Sequence, residues 1–127
     1  MSFRWISKHA VIAIHAEQIA DYGGASGIYD EGALESALAK PKNLLSYAKP
    51  SVFDLAAAYG YGIVQGHPFT DGNKRTGLLV SALFLYLNGW ELDAKEAVTA
   101  DLIFRLADGK VTQKALSRWF EANCVKR

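Results

Sequence analysis

The stretch Leu78 to Leu87, LLVSALFLYL, is apolar on nearly every face and begins directly after a polar run, His67-Pro-Phe-Thr-Asp-Gly-Asn-Lys-Arg75. A helix with so little polar surface has no side to give to water, so the pattern predicts the central buried helix of the chain. Asn88-Gly89 ends it as a left-handed cap does, because Gly accepts positive φ at little cost. The run is too short to cross a membrane, which takes about 20 apolar residues. The polar run is thus a loop standing on a rigid element. Gly72 and Asn73 break the chain just before the helical pattern, so the first free backbone N–H groups of the helix should face back towards His67 and Asp71. Such a helix start suits an anion.

The remaining periodic segments also read as helices. Ser7 can cap a first one, with Ile12, His15, Ala16 and Ile19 on one face and Tyr22-Gly23-Gly24 as its stop. Asp30 can cap a short second helix carrying Leu34 and Leu38, ended at Lys40-Pro41. Ser51 with Asp54 marks a third, through Leu55, Tyr59 and Ile63 to Gly66. After the apolar helix, Asp93 with Glu96 repeats the capping pattern ahead of Val98, Leu102 and Leu106, with Asp108-Gly109 as the end. Thr112 opens a last helix that finishes near Cys124. Only Trp90 to Leu92 alternates as a short strand. No long linker, solenoid repeat or low-complexity tract appears, so the expected architecture is all-α, one compact helical domain over residues 1–127.

Composition narrows the function. A chain of 127 residues with half of them hydrophobic can bury one core. Its formal net charge of +1 gives no field for direct nucleic-acid or anionic-membrane binding, so recognition must be local. The single cysteine, Cys124, cannot form an internal disulfide. His9, His15 and Glu17 interrupt any apolar leader segment. A reducing, cytoplasmic setting is the expectation.

Two neighbouring motif readings fail. A phosphate-binding P-loop needs Gly-Lys-Ser/Thr after a strand, and here Asn73 separates Gly72 from Lys74 behind a helix. A zinc site needs further ligands at workable spacing, whereas His9 and His15 point to opposite sides of a helix. His15, on the apolar face, reads as a satisfied core histidine. Lys40, Lys42 and Lys49 read as a solvated basic loop.

The contiguous run His67-Pro68-Phe69-Thr70-Asp71-Gly72-Asn73-Lys74-Arg75-Thr76 resembles the Fic/Doc family, specifically its death-on-curing branch. Tyr22-Gly23-Gly24, Gly27-Ile28 and Leu34-Glu35-Ser36-Ala37-Leu38 extend the resemblance over most of the N-terminal two thirds. It implies a Fic-type fold in which the catalytic loop precedes the central helix. The adenylylating branch carries Gly where this chain has Lys74, and a second Arg where it has Leu78. The resemblance therefore implies a nucleotide bound in the reversed sense, with the γ-phosphoryl of ATP facing a Ser or Thr hydroxyl of a protein. It also implies elongation factor Tu as the kind of target, and a small co-encoded, Phd-like antitoxin as partner. An adenylyltransferase, or a catalytically silent half of a toxin–antitoxin pair, are the alternatives.

Within that chemistry each residue has an expected role. Phosphoryl transfer is mainly positioning and charge stabilisation around a base near the nucleophile. His67 is the only candidate base in the loop. Asp71 is placed to hold Mg²⁺, which prefers one or two carboxylates completed by phosphate oxygens and water, although it could instead cap the helix. Lys74 and Arg75 would neutralise phosphates. Asn73 would give its amide to a phosphate or cap the helix, and Gly72 lets the backbone approach closely. Phe69 is expected to anchor the loop in the core.

Overall fold

A computed structural model describes residues 2–127. Its elements are α1 (Lys8–Tyr22), α2 (Glu31–Tyr47), α3 (Val52–Gly66), α4 (Asn73–Leu87), β1 (Trp90–Leu92), α5 (Glu96–Ala107), α6 (Gln113–Asn123) and β2 (Cys124–Lys126). Local chemistry explains most of the boundaries. Ser7, Asp30 and Thr112 each accept a backbone N–H three residues on, opening α1, α2 and α6. Ser51 and Asp54 form the reciprocal capping box at α3.

Burial is shared between two crossing helices. α3 is buried on most sides, from Phe53 to Val64. α4 is buried along one side, through Thr76, Val80, Phe84 and Leu85, but leaves Leu79 and Tyr86 38% and 45% exposed. The apolar run was thus a poorer guide to burial than the small residues beside it. Gly60 on α3 faces Gly77 on α4, and a Cβ on Gly77 would come within 2.7 Å of Val64 Cγ2 and 3.2 Å of the Gly60 carbonyl oxygen. Only a glycine lets the two backbones approach so closely. Ser81 fills the crossing and donates its hydroxyl to the Ala56 carbonyl at 2.7 Å.

Two boundaries differ from expectation. α2 does not stop at Lys40-Pro41 but continues through the buried Pro41 to Tyr47. The missing amide of Pro41 costs one helix hydrogen bond, and the packing of α2 along α3 outweighs it. Lys40 and Lys42 consequently stand on a helix rather than a loop. At α5 neither Asp93 nor Glu96 forms a cap. The N-cap is Lys95, with no side-chain bond, and the Asp93 amide donates to the Asn123 carbonyl at 2.7 Å.

The strand at Trp90–Leu92 has a partner, β2, which pairs antiparallel with Trp90 opposite Lys126 and Leu92 opposite Cys124. This small sheet ties the C-terminus to the end of α4. Asn88 ties the N-terminal segment to the same place, because its side-chain amide exchanges hydrogen bonds of 2.9 and 3.0 Å with the Arg4 backbone. Lys8 bridges Glu31 and Glu35, joining the start of α1 to α2. No helix among the described residues is long and apolar enough to cross a membrane.

Candidate active site

The loop between α3 and α4 starts at His67, the C-cap of α3, with φ 50 and ψ 53. Among the described residues it is the one non-glycine with positive φ. Left-handed backbone costs a side-chain-bearing residue on the order of 1 kcal/mol or more, and it persists only where its surroundings enforce it. Here the enforcing contacts come from the next residues. Pro68 offers its carbonyl to the amides of Tyr29 and Asp30 at 2.8 and 3.0 Å, Phe69 pairs with Ile28 as an isolated bridge, and the Thr70 amide reaches the Gly27 carbonyl at 3.2 Å. The segment between α1 and α2 is thereby laced along the loop. The His67 side chain remains exposed.

Phe69 is the anchor. It is fully buried, and the His15 ring stacks on it with centroids 3.8 Å apart and planes 7° from parallel. His15 Nε2 lies 2.7 Å from the Asp71 carbonyl oxygen, so that nitrogen carries the proton and donates. His15 is buried and satisfied, as its place on the apolar face suggested, but what it satisfies is the loop itself. Helical periodicity alone gives no sign of that, because the partner is a backbone oxygen 56 positions away.

Asn73 resolves differently from both uses open to it in sequence. Its side chain is buried, with Oδ1 accepting the Phe69 amide at 3.0 Å and Nδ2 donating to the Phe69 carbonyl at 2.9 Å. It neither caps α4 nor extends a free amide to a ligand. What it brings to the site is a closed loop and its own backbone N–H.

Asp71 does not cap α4 either. Its Oδ2 accepts the Ala25 amide at 2.7 Å, which fixes the carboxylate and leaves Oδ1 for another partner. α4 opens instead at Gly72, in left-handed conformation at φ 82 and without any side-chain cap. Its first internal bond is from the Thr76 amide to the Gly72 carbonyl at 3.0 Å. Among the described residues, the amides of Asn73, Lys74 and Arg75 therefore have no acceptor within the protein.

The two cations diverge from this turn. The Arg75 guanidinium lies 4.1 Å from the centroid of the Tyr22 ring, towards α1, and Lys74 Nζ lies 5.6 Å from that of Phe104, on α5. An uncapped helix start carrying a partial positive charge, with a cation on either side and an oriented carboxylate and an imidazole in the preceding loop, can receive a multiply charged anion. No group of three or more His, Cys, Asp or Glu residues able to hold a metal occurs among the described residues. A metal at Asp71 would need oxygen ligands from a substrate and from water, the set that Mg²⁺ favours.

Comparison with known proteins decides the family. The model of the Fic/DOC family matches residues 5–85, from before α1 to near the end of α4. The chain belongs to the Fic/DOC family. It is 34% identical over 116 residues to the protein kinase doc of Escherichia phage P1, covering 90% of each chain. It is also 36% identical over 75 residues to the toxin Doc of Mycolicibacterium smegmatis, covering 58% of each. The Fic/DOC match ends before α5 and α6, and the similarity to the phage protein extends across most of the chain.

Proposed function

We propose that this chain is a Doc-type toxin that moves the γ-phosphoryl group of ATP to a Ser or Thr hydroxyl of a target protein. The observation that carries the reading is the uncapped first turn of α4, whose unpaired amides adjoin Lys74 and Arg75 and follow directly on the loop of His67 and Asp71. Its support from relatives is the similarity to the phage P1 protein kinase doc.

In this reading His67 accepts the proton of the target hydroxyl as its oxygen bonds to the γ-phosphorus. The bond from the γ-phosphorus to the bridging β–γ oxygen breaks, ADP leaves, and the imidazolium passes its proton to water. The amides of Asn73, Lys74 and Arg75 bind phosphate oxygens, with Gly72 allowing the close approach. The two cationic side chains offset the charge that spreads over those oxygens in the transition state. Asp71, fixed by Ala25, would hold Mg²⁺ through its carboxylate, and the ion would supply further charge neutralisation. Lys74 adds bulk and charge at the second residue of the helix, which favours a terminal phosphoryl over an internal one at the His67 end. A translation factor such as elongation factor Tu is the proposed target, a small Phd-like antitoxin the proposed partner, and the cytoplasm the proposed place of action.

Incubation of the target with ATP labelled separately at the α and γ positions tests the reading. The γ label should appear on the protein, Lys74→Ala should lower its transfer, and the α label should stay in solution. Recovery of the α label on the target would replace phosphoryl by adenylyl transfer, and no label at all would leave a binding protein.

A further inference from the structure

The end of α1 lies against the loop that precedes α4. Tyr22 is the last residue of α1, and Gly23 caps it by donating its amide to the Ile19 carbonyl at 2.8 Å. From there the chain runs so close to the loop that a Cβ on Gly24 would lie 3.1 Å from Asp71 Cβ, and the next amide, that of Ala25, holds the Asp71 carboxylate. Tyr22 meets the second charged group, because the Arg75 guanidinium lies 4.1 Å from its ring centroid. The short turn from Tyr22 to Ala25 therefore touches both Asp71 and Arg75. Among the described residues no carboxylate pairs with Arg75, so the ring is what stands beside its charge.

We infer that Tyr22 is a positioning residue for Arg75, holding the guanidinium on its ring so that the side chain meets a phosphate with its charge and its N–H donors unspent. The inference rests on the phosphoryl-transfer reading and adds how one of its cations is kept in place. A long, flexible arginine loses rotamer freedom when a ligand fixes it, and a side chain already ordered loses less. A carboxylate beside Arg75 would order it, but would also take its donors and cancel the charge that a phosphate needs. The ring orders it by the attraction of a cation to a π-face, which neutralises nothing. Tyr22 is 63% exposed, so core burial does not account for so large a ring at this position. The contact uses the ring and not the phenolic hydroxyl, so Phe can replace Tyr22 and Leu cannot.

Calorimetric titration of the full chain with MgATP, and separately with magnesium tripolyphosphate, tests the inference on wild type, Tyr22→Phe and Tyr22→Leu, each with Arg75 in place and with Arg75→Ala. Tyr22 is exposed, so its replacement should leave the melting temperature unchanged. With Arg75 in place, Tyr22→Leu should weaken both ligands about fivefold, while Tyr22→Phe should bind them as wild type does. Combined with Arg75→Ala, Tyr22→Leu should cost nothing further, because a coupling between two residues vanishes once either is removed. Wild-type affinity in Tyr22→Leu would overturn the inference and leave the phosphoryl-transfer reading standing. A loss that persists with Arg75→Ala would overturn it too, because the ring would then act by a route other than Arg75. Equal weakening by Phe and by Leu would assign the effect to the hydroxyl and end the ring's role. Failure of the wild type to bind either ligand would remove both the inference and the reading beneath it.

Discussion

The two sides of the first turn of α4 are built in opposite ways. Towards α1, nearly every polar group is tied. His15 stacks on Phe69 and holds the Asp71 carbonyl, Asn73 brackets Phe69, Ala25 fixes the Asp71 carboxylate, and Arg75 lies over Tyr22. Towards α5 there is open volume, an exposed Phe104, a half-exposed Val98 and a helix that starts without a side-chain cap. A catalytic constellation must be held to within a fraction of an ångström, whereas a binding cavity must stay accessible. The loop is therefore held rigid from the α1 side, while the α5 side stays open.

The largest effect should come from His67, an exposed side chain of the braced loop with no hydrogen-bond partner among the described residues to hold it. His67→Ala should lower phosphoryl transfer by about 10² or more, the usual share of a general base, and should abolish any growth arrest caused by expressing the chain alone. His67→Gly removes the same imidazole while relaxing the left-handed backbone at φ 50, so it should melt above His67→Ala although both are inactive. Equal transfer by wild type and a folded His67→Ala would remove His67 as the base. A lower melting point for the Gly variant would show that the backbone there is not strained.

Removing the brace should have an intermediate effect and separate the two sides directly. Asn73→Ala leaves the buried amide and carbonyl of Phe69 without partners, at a cost of about 1–3 kcal/mol for each unsatisfied group, which thermal melting would record. His15→Phe keeps a ring against Phe69 but deletes the donor to Asp71, and should raise the Mg²⁺ concentration needed for half-maximal transfer. His15→Gln, which can still donate, should recover part of it. An unchanged Mg²⁺ requirement in His15→Phe would show that the brace does not position Asp71.

How much of this was legible in the sequence follows the range of each interaction. The caps at Ser7, Asp30, Ser51 and Thr112 act over three residues and could be read directly. The contiguous loop from His67 to Thr76 announced its family, and the match over residues 5–85 established it. What escaped is carried by contacts between distant positions. The antiparallel partner of Trp90–Leu92 lies at the far C-terminus, and α2 survives Pro41 only because α3 packs along it. The role of Asn73 escaped for a different reason, since a buried amide turned back on its own loop and a free amide turned to a phosphate have the same sequence.

The smallest expected effect lies away from the site, at the join of α3 and α6, and it controls for the comparison. Burial of Asp54 acts to raise its carboxyl pKa, but bonds from the Ser117 hydroxyl at 2.6 Å and from the amide and hydroxyl of Ser51, with the charge of Lys114, hold it below its ordinary 3.8. A folded-state value below the unfolded one makes the ionised carboxylate stabilising above about pH 4, and that contribution is lost as the pH falls through the folded value. Asp54→Asn, whose single oxygen cannot accept from both serines and carries no charge, should therefore melt below wild type at pH 7. The gap should narrow as the pH is lowered from about 4 towards 3. Nucleotide affinity at neutral pH should not change, since Asp54 faces neither side of the first turn of α4. A gap that stayed constant with pH would mean that Asp54 acts through hydrogen bonds its neutral form also makes, and a change in ATP binding would mean that the two sides of α4 are coupled through the core.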